Sequence, residues 1–190
     1  MMNLPNRLTL LRIILTPVFL ILFTIDSIPY HYLLAMLVFV VASVTDALDG
    51  HIARKHNLIT NFGKLTDPLA DKMLTTAAFL GLMTMGYCNI WIVFLILFRE
   101  FGVSSMRLVA ASQGVVIPAS IWGKIKTASM MVLTPLVMLL ISLQEDFGVI
   151  PASFPMATVS NIALGICAAL TLISGFRYLW DGAKIIDFSK

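Results

Sequence analysis

Charged residues are scarce in this 190-residue chain, since Asp, Glu, Lys and Arg make up only 12% of it. Hydrophobic residues make up 59%, and the mean hydropathy is +0.94. A typical soluble domain carries about twice that fraction of charge, so the composition excludes an ordinary soluble protein. The chain is therefore predicted to be an integral membrane protein.

Cysteine and histidine are also rare, with two cysteines and three histidines in the whole chain. Cys88 and Cys167 are expected at different depths in the membrane, so we predict two free thiols rather than a disulfide. The net charge of +3 is too small to indicate binding to nucleic acid. Anionic lipid and phosphate are the expected partners of the basic residues.

Apolar segments recur along the chain, and a helix that spans a membrane needs about 20 predominantly apolar residues. We predict an all-α fold, a polytopic membrane protein with six transmembrane helices in a single domain, residues 1–190. The predicted spans are Leu8–Ile25, Tyr32–Ala53, Leu65–Gly86, Ile90–Ala111, Ile121–Leu143 and Pro155–Tyr178.

The basic residues predict how these helices are oriented. All 13 Lys and Arg residues fall on one side of a six-span topology. The connections on the other side, residues 26–31, 88–89 and 144–154, contain no Lys or Arg. Because cytoplasmic segments are enriched in basic residues, both termini are expected in the cytoplasm, with the protein in a bacterial plasma membrane.

Four carboxylates lie inside strongly apolar sequence, those of Asp46, Asp49, Asp67 and Asp71. An acid within a membrane helix costs about 2.5–3.5 kcal/mol on insertion scales, so such residues usually mark a functional site. On helices, each pair projects from one face, and two helices can present four facing carboxylates. Hard oxygen ligands favour Mg²⁺ or Mn²⁺, and two divalent cations would balance the four negative charges. The spacing leaves open which aspartate acts as a base.

Small residues and one arginine accompany these acids. Gly50 and Ala53 lie on the same predicted helix as the first acid pair, Arg54 lies one turn beyond Gly50, and Gly63 reopens the chain before the second pair. Small side chains let a bulky ligand approach the backbone, and a guanidinium near two metals suits a diphosphate. The alternative is that the small residues only permit close helix packing.

Together these residues resemble the signature of the CDP-alcohol phosphatidyltransferase family, DxxDGxxAR, a short spacer and GxxxDxxxD. The matching residues are Asp46, Asp49, Gly50, Ala53, Arg54, Gly63, Asp67 and Asp71. The resemblance implies that the four aspartates surround two divalent metals, which hold the diphosphate of a CDP-linked lipid. It also implies that Asp71 is the general base, taking a proton from an acceptor hydroxyl that attacks the lipid-side phosphorus while CMP departs.

More of the chain resembles one branch of that family, the phosphatidylglycerophosphate synthases, which join CDP-diacylglycerol to glycerol 3-phosphate. The segments that carry this likeness are Pro5–Arg12, Phe62–Lys72, Arg99–Arg107 and Gly123–Thr127. The branch implies a metal-dependent phosphatidyltransferase of phospholipid synthesis, and its relatives are commonly dimers. The last part of the chain offers only a generic apolar helix.

An acceptor that carries its own phosphate needs cations separate from those that hold the CDP diphosphate. Arg107, Lys124 and Lys126 are available on the same predicted side, and Arg99 lies deeper. Alternatively, these residues are only topology anchors. Glu100 is expected to orient a basic neighbour on another helix, because adjacent side chains on one helix do not face each other.

Three polar residues near the amino terminus, Asn6, Thr9 and Arg12, resemble part of the family's substrate region. Asn6 could equally cap the first helix, and Arg12 could extend its charge to the membrane surface.

Two other functions are compatible with the sequence. The transfer chemistry could use a different acceptor, either phosphatidylglycerol in cardiolipin synthesis or an inositol phosphate. A divalent-cation transporter is a remote alternative, because it would more naturally show inverted repeats or interrupted helices and would not need Gly50, Ala53 and Arg54.

Overall fold

Six α-helices form the part of the chain that the computed structural model describes, residues 3–55, 60–115, 117–118 and 120–186. No strand occurs among these residues. The predicted all-α fold class is confirmed. The helices are α1 (Leu4–Thr24), α2 (His31–Lys55), α3 (Asn61–Thr84), α4 (Ile90–Ser112), α5 (Ile121–Glu145) and α6 (Met156–Ala183).

Several of these helices are suited to a bilayer. Among the described residues, Pro5–Thr24, Ile121–Glu145 and Met156–Ala183 are each long and apolar enough to cross a membrane. Helix α2 contributes a shorter apolar stretch, His31–Asp46, and α3 and α4 carry charged residues within their apolar sequence. The chain is a polytopic membrane protein.

Helix α1 begins four residues earlier than the sequence predicted, because Asn3 caps it. The Asn3 side chain accepts a hydrogen bond from the backbone N–H of Asn6 at 3.2 Å, and Pro5 occupies the first turn, where its missing N–H costs nothing. The suggestion that Asn6 itself caps the helix is therefore wrong. Its side chain is left available for a contact with α3.

Two compact units can be distinguished, and the expectation of a single domain over residues 1–190 stays a prediction. Unit 1 comprises Met1–Tyr87 with Pro135–Met156, and unit 2 comprises Cys88–Thr134 with Ala157–Lys190. All four predicted acids belong to unit 1, and the four predicted acceptor-binding cations belong to unit 2.

Aromatic packing forms much of the core of unit 1, where α1 lies against both α2 and α3. The ring of Phe19 stacks on Phe23 at 5.5 Å and lies 5.9 Å from Phe39, and Phe23 meets Tyr32 edge to face at 5.2 Å. Gly81 of α3 completes the contact, because a Cβ there would lie 3.0 Å from the Phe23 ring. The buried polar residues of α1 lie beyond this packed end of the helix, towards the amino terminus: Asn6, Thr9, Arg12 and Thr16.

The start of α2 is tied to the connection between α5 and α6, also within unit 1. The backbone N–H of Leu33 donates to the Asp146 carboxylate at 2.9 Å, which satisfies a donor that the first helical turn leaves free. The Tyr87 hydroxyl, after α3, donates to Glu145 at 3.1 Å. These contacts fix the ends of α2 and α3 that lie farthest from the acids.

Unit 2 contains both cysteines, and both are free thiols, as the sequence predicted. The starts of α4 and α6 are joined by a hydrogen bond from the backbone N–H of Asn89 to the Asn161 side chain at 2.7 Å. Near the other end of α6, Gly182 lies close to Met106 of α4. Helices α4 and α6 are therefore in contact at both ends.

Candidate active site

The predicted acids occupy the carboxyl-terminal part of α2 and the amino-terminal part of α3. Asp46 and Asp49 are one turn apart on α2, and Asp67 and Asp71 are one turn apart on α3. The Asp46 side chain is partly exposed, Asp67 is exposed and Asp71 is half-buried. Partly exposed carboxylates at these positions can contact other side chains of the protein and also a ligand that enters from outside.

One face of α1 contacts both acid-bearing helices. Nη1 of Arg12 lies 2.5 Å from Oδ1 of Asp46, and the Arg12 side chain is fully buried. One turn earlier on the same face, the Thr9 hydroxyl lies 2.6 Å from Oδ1 of Asp67. Arg12 does not extend to the membrane surface, so that suggestion is wrong. Helix α1 thus supplies a cation to one acid and a hydroxyl donor to another.

A polar contact next to Asp67 joins the starts of α1 and α3. Thr60 caps α3 by accepting a hydrogen bond from the Gly63 N–H at 3.0 Å, and its hydroxyl donates to Oδ1 of Asn6 at 3.0 Å. This cap starts the helix at Asn61, so Gly63 lies inside α3 rather than in the connection before it. The predicted third span began at Leu65, so the observed helix begins four residues earlier.

The surroundings of Gly63 leave little room for a side chain. A Cβ at this position would lie 3.2 Å from Oδ1 of Asn6, 3.3 Å from the Thr60 hydroxyl and 3.5 Å from Oδ2 of Asp67. The first two distances are tighter than ordinary contacts of a Cβ atom, so alanine would push against the cap. Glycine therefore lets α1 and α3 approach each other beside the Asp67 carboxylate.

Four residues of the predicted signature lie on α2 with side chains outside the described part of the structure. They are Asp49, Gly50, Ala53 and Arg54. Among the side chains that are described, no group of three or more Asp, Glu, His or Cys lies at the spacing of a metal site. The Asp49 side chain lies outside the described part of the structure, so the predicted set of four acids is only partly described.

The described acids have the chemistry that a hard divalent cation requires. Carboxylate oxygens are the ligands that Mg²⁺ and Mn²⁺ prefer, and Asp46 and Asp67 each have one oxygen held by a donor on α1. Such outer contacts orient metal ligands in many proteins. The residues present therefore fit a divalent cation.

In unit 2, two of the predicted cations meet on one acid. Glu100 accepts a hydrogen bond from Nη1 of Arg99 at 2.9 Å and a very short one from Nζ of Lys126 on α5. These side chains are 10% and 12% exposed, so the charges are largely desolvated. The expectation that Glu100 orients a base on another helix is confirmed for Lys126. Arg99 also reaches it, so these two adjacent residues of α4 do form a pair.

The other two predicted cations are more exposed. Arg107 lies with its guanidinium carbon 5.8 Å from the centre of the Tyr178 ring, a cation–π contact with α6. Lys124 is an exposed residue near the start of α5. The structure thus joins Arg99 to Lys126 through Glu100 and gives Arg107 a different partner.

Sequence reasoning missed the contributions of α6. Ser174 accepts a hydrogen bond from Nη2 of Arg99 at 2.7 Å, and Gly175 lies against the same side chain. A serine and a glycine in an apolar helix carry no distinctive pattern. The available signal was Arg99 itself, because a guanidinium deep in a membrane helix needs polar partners on its neighbours.

Comparison with known proteins shows a likeness over nearly the whole chain. The sequence profile of the CDP-alcohol phosphatidyltransferase family matches residues 2–178. The chain is 39% identical to the CDP-diacylglycerol–glycerol-3-phosphate 3-phosphatidyltransferase of Bacillus subtilis, over 97% of this chain and 98% of that protein. A protein of the same name from Rickettsia typhi is 41% identical, over 94% of this chain and 96% of its own. A probable phosphatidylglycerophosphate synthase of Mycobacterium tuberculosis is 37% identical, over 93% and 80%.

Proposed function

The chain belongs to the CDP-alcohol phosphatidyltransferase family, and on that premise we propose that it transfers the phosphatidyl group of CDP-diacylglycerol to glycerol 3-phosphate. The products are phosphatidylglycerophosphate and CMP, and the reaction belongs to phospholipid synthesis. The observation that carries this proposal is the near full-length likeness to proteins named for this transfer.

The donor site is proposed to lie at the four aspartates. Asp46, Asp49, Asp67 and Asp71 would hold two divalent cations, Mg²⁺ or Mn²⁺. When bound, such ions neutralise the charge of a diphosphate and of the phosphoryl group in transfer. In support, the described acids offer hard oxygen ligands, two of which are oriented by α1.

Binding of the CDP-lipid is assigned to the residues around these acids. Gly50 and Ala53 are proposed to leave space for the nucleotide and diphosphate, and Arg54 to offer a planar fork of donors to the phosphate oxygens. Gly63 is proposed to contribute by holding the carboxylate of Asp67 close to α1, because the space beside this glycine is filled by Asn6, Thr60 and Asp67. Arg54 has its side chain outside the described part of the structure.

Asp71 is proposed as the general base. Its carboxylate would take the proton of an acceptor hydroxyl, whose oxygen then attacks the phosphorus on the lipid side of the diphosphate. The bond from that phosphorus to the bridging oxygen breaks, and CMP leaves with the bonding electrons. Asp71 is partly exposed, which supports access of an acceptor to this residue.

The acceptor phosphate is assigned to Arg99, Arg107, Lys124 and Lys126. Arg99 and Lys126 support this, because their charges are largely desolvated and converge on one carboxylate. Two cations against one acid leave a net positive charge at that point, which favours an anionic ligand. Residues that act only as topology anchors would not need such a largely buried contact with Glu100.

The wider setting of the enzyme is also a proposal. The distribution of the basic residues supports a topology with both termini and the active site on the cytoplasmic side of a bacterial plasma membrane. The enzyme is proposed to act as a homodimer, as is common among its relatives. The enzyme is proposed to lie in membrane lipid and to take its donor substrate, CDP-diacylglycerol, from that membrane.

A CMP-release assay tests the function directly. The purified protein in nanodiscs would receive CDP-diacylglycerol, Mg²⁺ or Mn²⁺, and one acceptor at a time: glycerol 3-phosphate, phosphatidylglycerol, an inositol phosphate or none. We expect CMP and phosphatidylglycerophosphate only with glycerol 3-phosphate. A strong preference for phosphatidylglycerol would identify a cardiolipin synthase instead. Cation flux into vesicles without any CMP would identify a transporter.

A further inference from the structure

Helix α6 fixes the orientation of Arg99. The guanidinium donates from Nη2 to the Ser174 hydroxyl at 2.7 Å and from Nη1 to Glu100 at 2.9 Å. Ser174 is completely buried, so this hydrogen bond is shielded from water. With two of its nitrogens held from two helices, the planar fork of Arg99 has a set direction.

Gly175 provides the space that the Arg99 side chain occupies. A Cβ at Gly175 would overlap Cγ of Arg99 and would lie 3.3 Å from its Cδ and 3.1 Å from its Nε. The overlap is with the near end of the side chain, which cannot move aside without redirecting the whole guanidinium. Any residue other than glycine would therefore displace Arg99 from its present position.

Arg99 also has a donor to spare. Its Nε–H is buried and has no hydrogen-bond partner among the described residues. A buried donor without a partner costs free energy until a ligand or water satisfies it.

Arg107 meets the same helix one turn farther on. Tyr178 follows Ser174 by four residues, so both side chains lie on one face of α6. The Tyr178 ring is buried and lies under the Arg107 guanidinium at 5.8 Å. Arg99 and Arg107 are eight residues apart on α4, about two turns, and both contact this face.

We propose that Ser174, Gly175 and Tyr178 are positioning residues that hold Arg99 and Arg107 in the geometry that binds the acceptor phosphate. The inference rests on the proposed function, because it concerns the acceptor subsite of that reaction. These residues do not touch the reacting atoms. They act by keeping two flexible arginine side chains preorganised, so that binding does not have to order them.

A matched pair of glycine substitutions on α6 tests the proposal. Gly175→Ala should raise KM for glycerol 3-phosphate by at least about tenfold, the loss expected when one charge-assisted contact is misplaced. KM for CDP-diacylglycerol should stay within about twofold of the unaltered value. Gly165→Ala is the control: it makes the same change on the same helix, and a Cβ there meets no atom within 4 Å.

Two further substitutions keep the test decisive if Gly175→Ala does not fold. Ser174→Ala removes the partner of Arg99, and Tyr178→Leu removes the ring under Arg107. Each should raise KM for the acceptor several-fold and leave KM for the donor nearly unchanged. Tyr178→Phe keeps the ring and should recover the acceptor KM, since the tyrosine hydroxyl has no partner among the described residues.

The possible failures are distinguishable. If the unaltered protein consumes no glycerol 3-phosphate, the proposed function itself is wrong, and the inference falls with it. If Arg99→Gln impairs acceptor use but Gly175→Ala and Ser174→Ala do not, the proposed function stands and only the inference is overturned. A parallel rise of both KM values, or a loss of thermal stability that accounts for the loss of activity, would show that α6 has only a structural role.

Discussion

The Thr9 hydroxyl lies 2.6 Å from Oδ1 of Asp67 and 3.1 Å from the backbone oxygen of Pro5. A hydroxyl has one proton, so it donates to only one of these acceptors. The shorter distance and the charge of a carboxylate favour Asp67. Thr9 therefore orients an acid that is proposed to hold a metal, although Thr9 lies outside the acidic signature.

Replacing Thr9 by valine should weaken metal use. Thr9→Val keeps the shape of the side chain but removes the donor to Asp67, so the Mg²⁺ or Mn²⁺ concentration for half-maximal activity should rise by about 10–100-fold. Thr16→Val is the matched control, because the Thr16 hydroxyl is also buried on α1 but, among the described residues, bonds only the Arg12 backbone oxygen. Metal titration of CMP release measures both. An equal response of the two variants would argue against the contact.

Removing divalent metal should abolish turnover. The four acids are proposed to hold two cations, and the charge of the diphosphate would otherwise remain unneutralised. CMP release should fall to background when the protein is stripped with a chelator, and return when Mg²⁺ or Mn²⁺ is added in excess. Full turnover by protein shown to be free of metal would refute the two-metal assignment.

The aspartates should differ in their roles. Asp71→Asn preserves side-chain size but removes a basic carboxylate, so it should abolish nearly all turnover while retaining more CDP-lipid binding than Asp46→Asn or Asp67→Asn. Turnover and equilibrium binding of CDP-diacylglycerol would be measured on each purified variant. Equal loss of binding in all three would mean that Asp71 acts chiefly as a metal ligand.

Neutralising a cation of the acceptor subsite should weaken acceptor use alone. Arg107→Gln and Lys126→Gln should each raise KM for glycerol 3-phosphate by about 10–100-fold, as expected for one lost charge-assisted hydrogen bond. Lys184→Gln is the control, since it removes a charge that lies just after α6 and over the Trp180 ring. Unchanged acceptor dependence in both test variants would return these residues to the role of topology anchors.

Cys88 should react slowly with alkylating agents in the folded protein. Burial raises the pKa of the Cys88 thiol to about 12, so almost no thiolate is present at pH 8. Because of this raised pKa, the folded state favours the protonated thiol over the thiolate. The resulting stabilisation of the folded state is complete at pH values below the ordinary pKa of a cysteine, about 8.5, and is lost as pH rises towards 12. Iodoacetamide labelling, followed by peptide mapping, should be slow at pH 8 and rapid after denaturation. Equal rates would contradict the burial of this thiol.

The sequence predicted the helices well because each one is a long apolar run, and it predicted the acids because carboxylates are costly in such runs. It could not predict which side chains partner them. Arg12 and Thr9 belong to a different helix from Asp46 and Asp67, and only the packing of α1 brings them together. Read alone, Arg12 was equally consistent with a residue that reaches for the membrane surface.

Helix boundaries show a similar limit. The first turns of α1 and α3 contain few apolar residues, so hydropathy places both starts too late. Asn3 and Thr60 set those starts through single side-chain hydrogen bonds, which a hydropathy pattern does not register. Gly175 could not be recognised from the sequence either, because its importance depends on its contact with the Arg99 side chain of another helix.

The ion pair between Arg12 and Asp46 also bears on how the protein is made. The chain is synthesised from its amino terminus, so α1 with Arg12 emerges before α2 with Asp46. A hairpin of these two helices can enter the bilayer with the acid already neutralised, before any metal is available. The arginine would then serve the nascent chain as a counterion and later share the carboxylate with a cation. Loss of Arg12 should therefore reduce the yield of inserted protein as well as its activity.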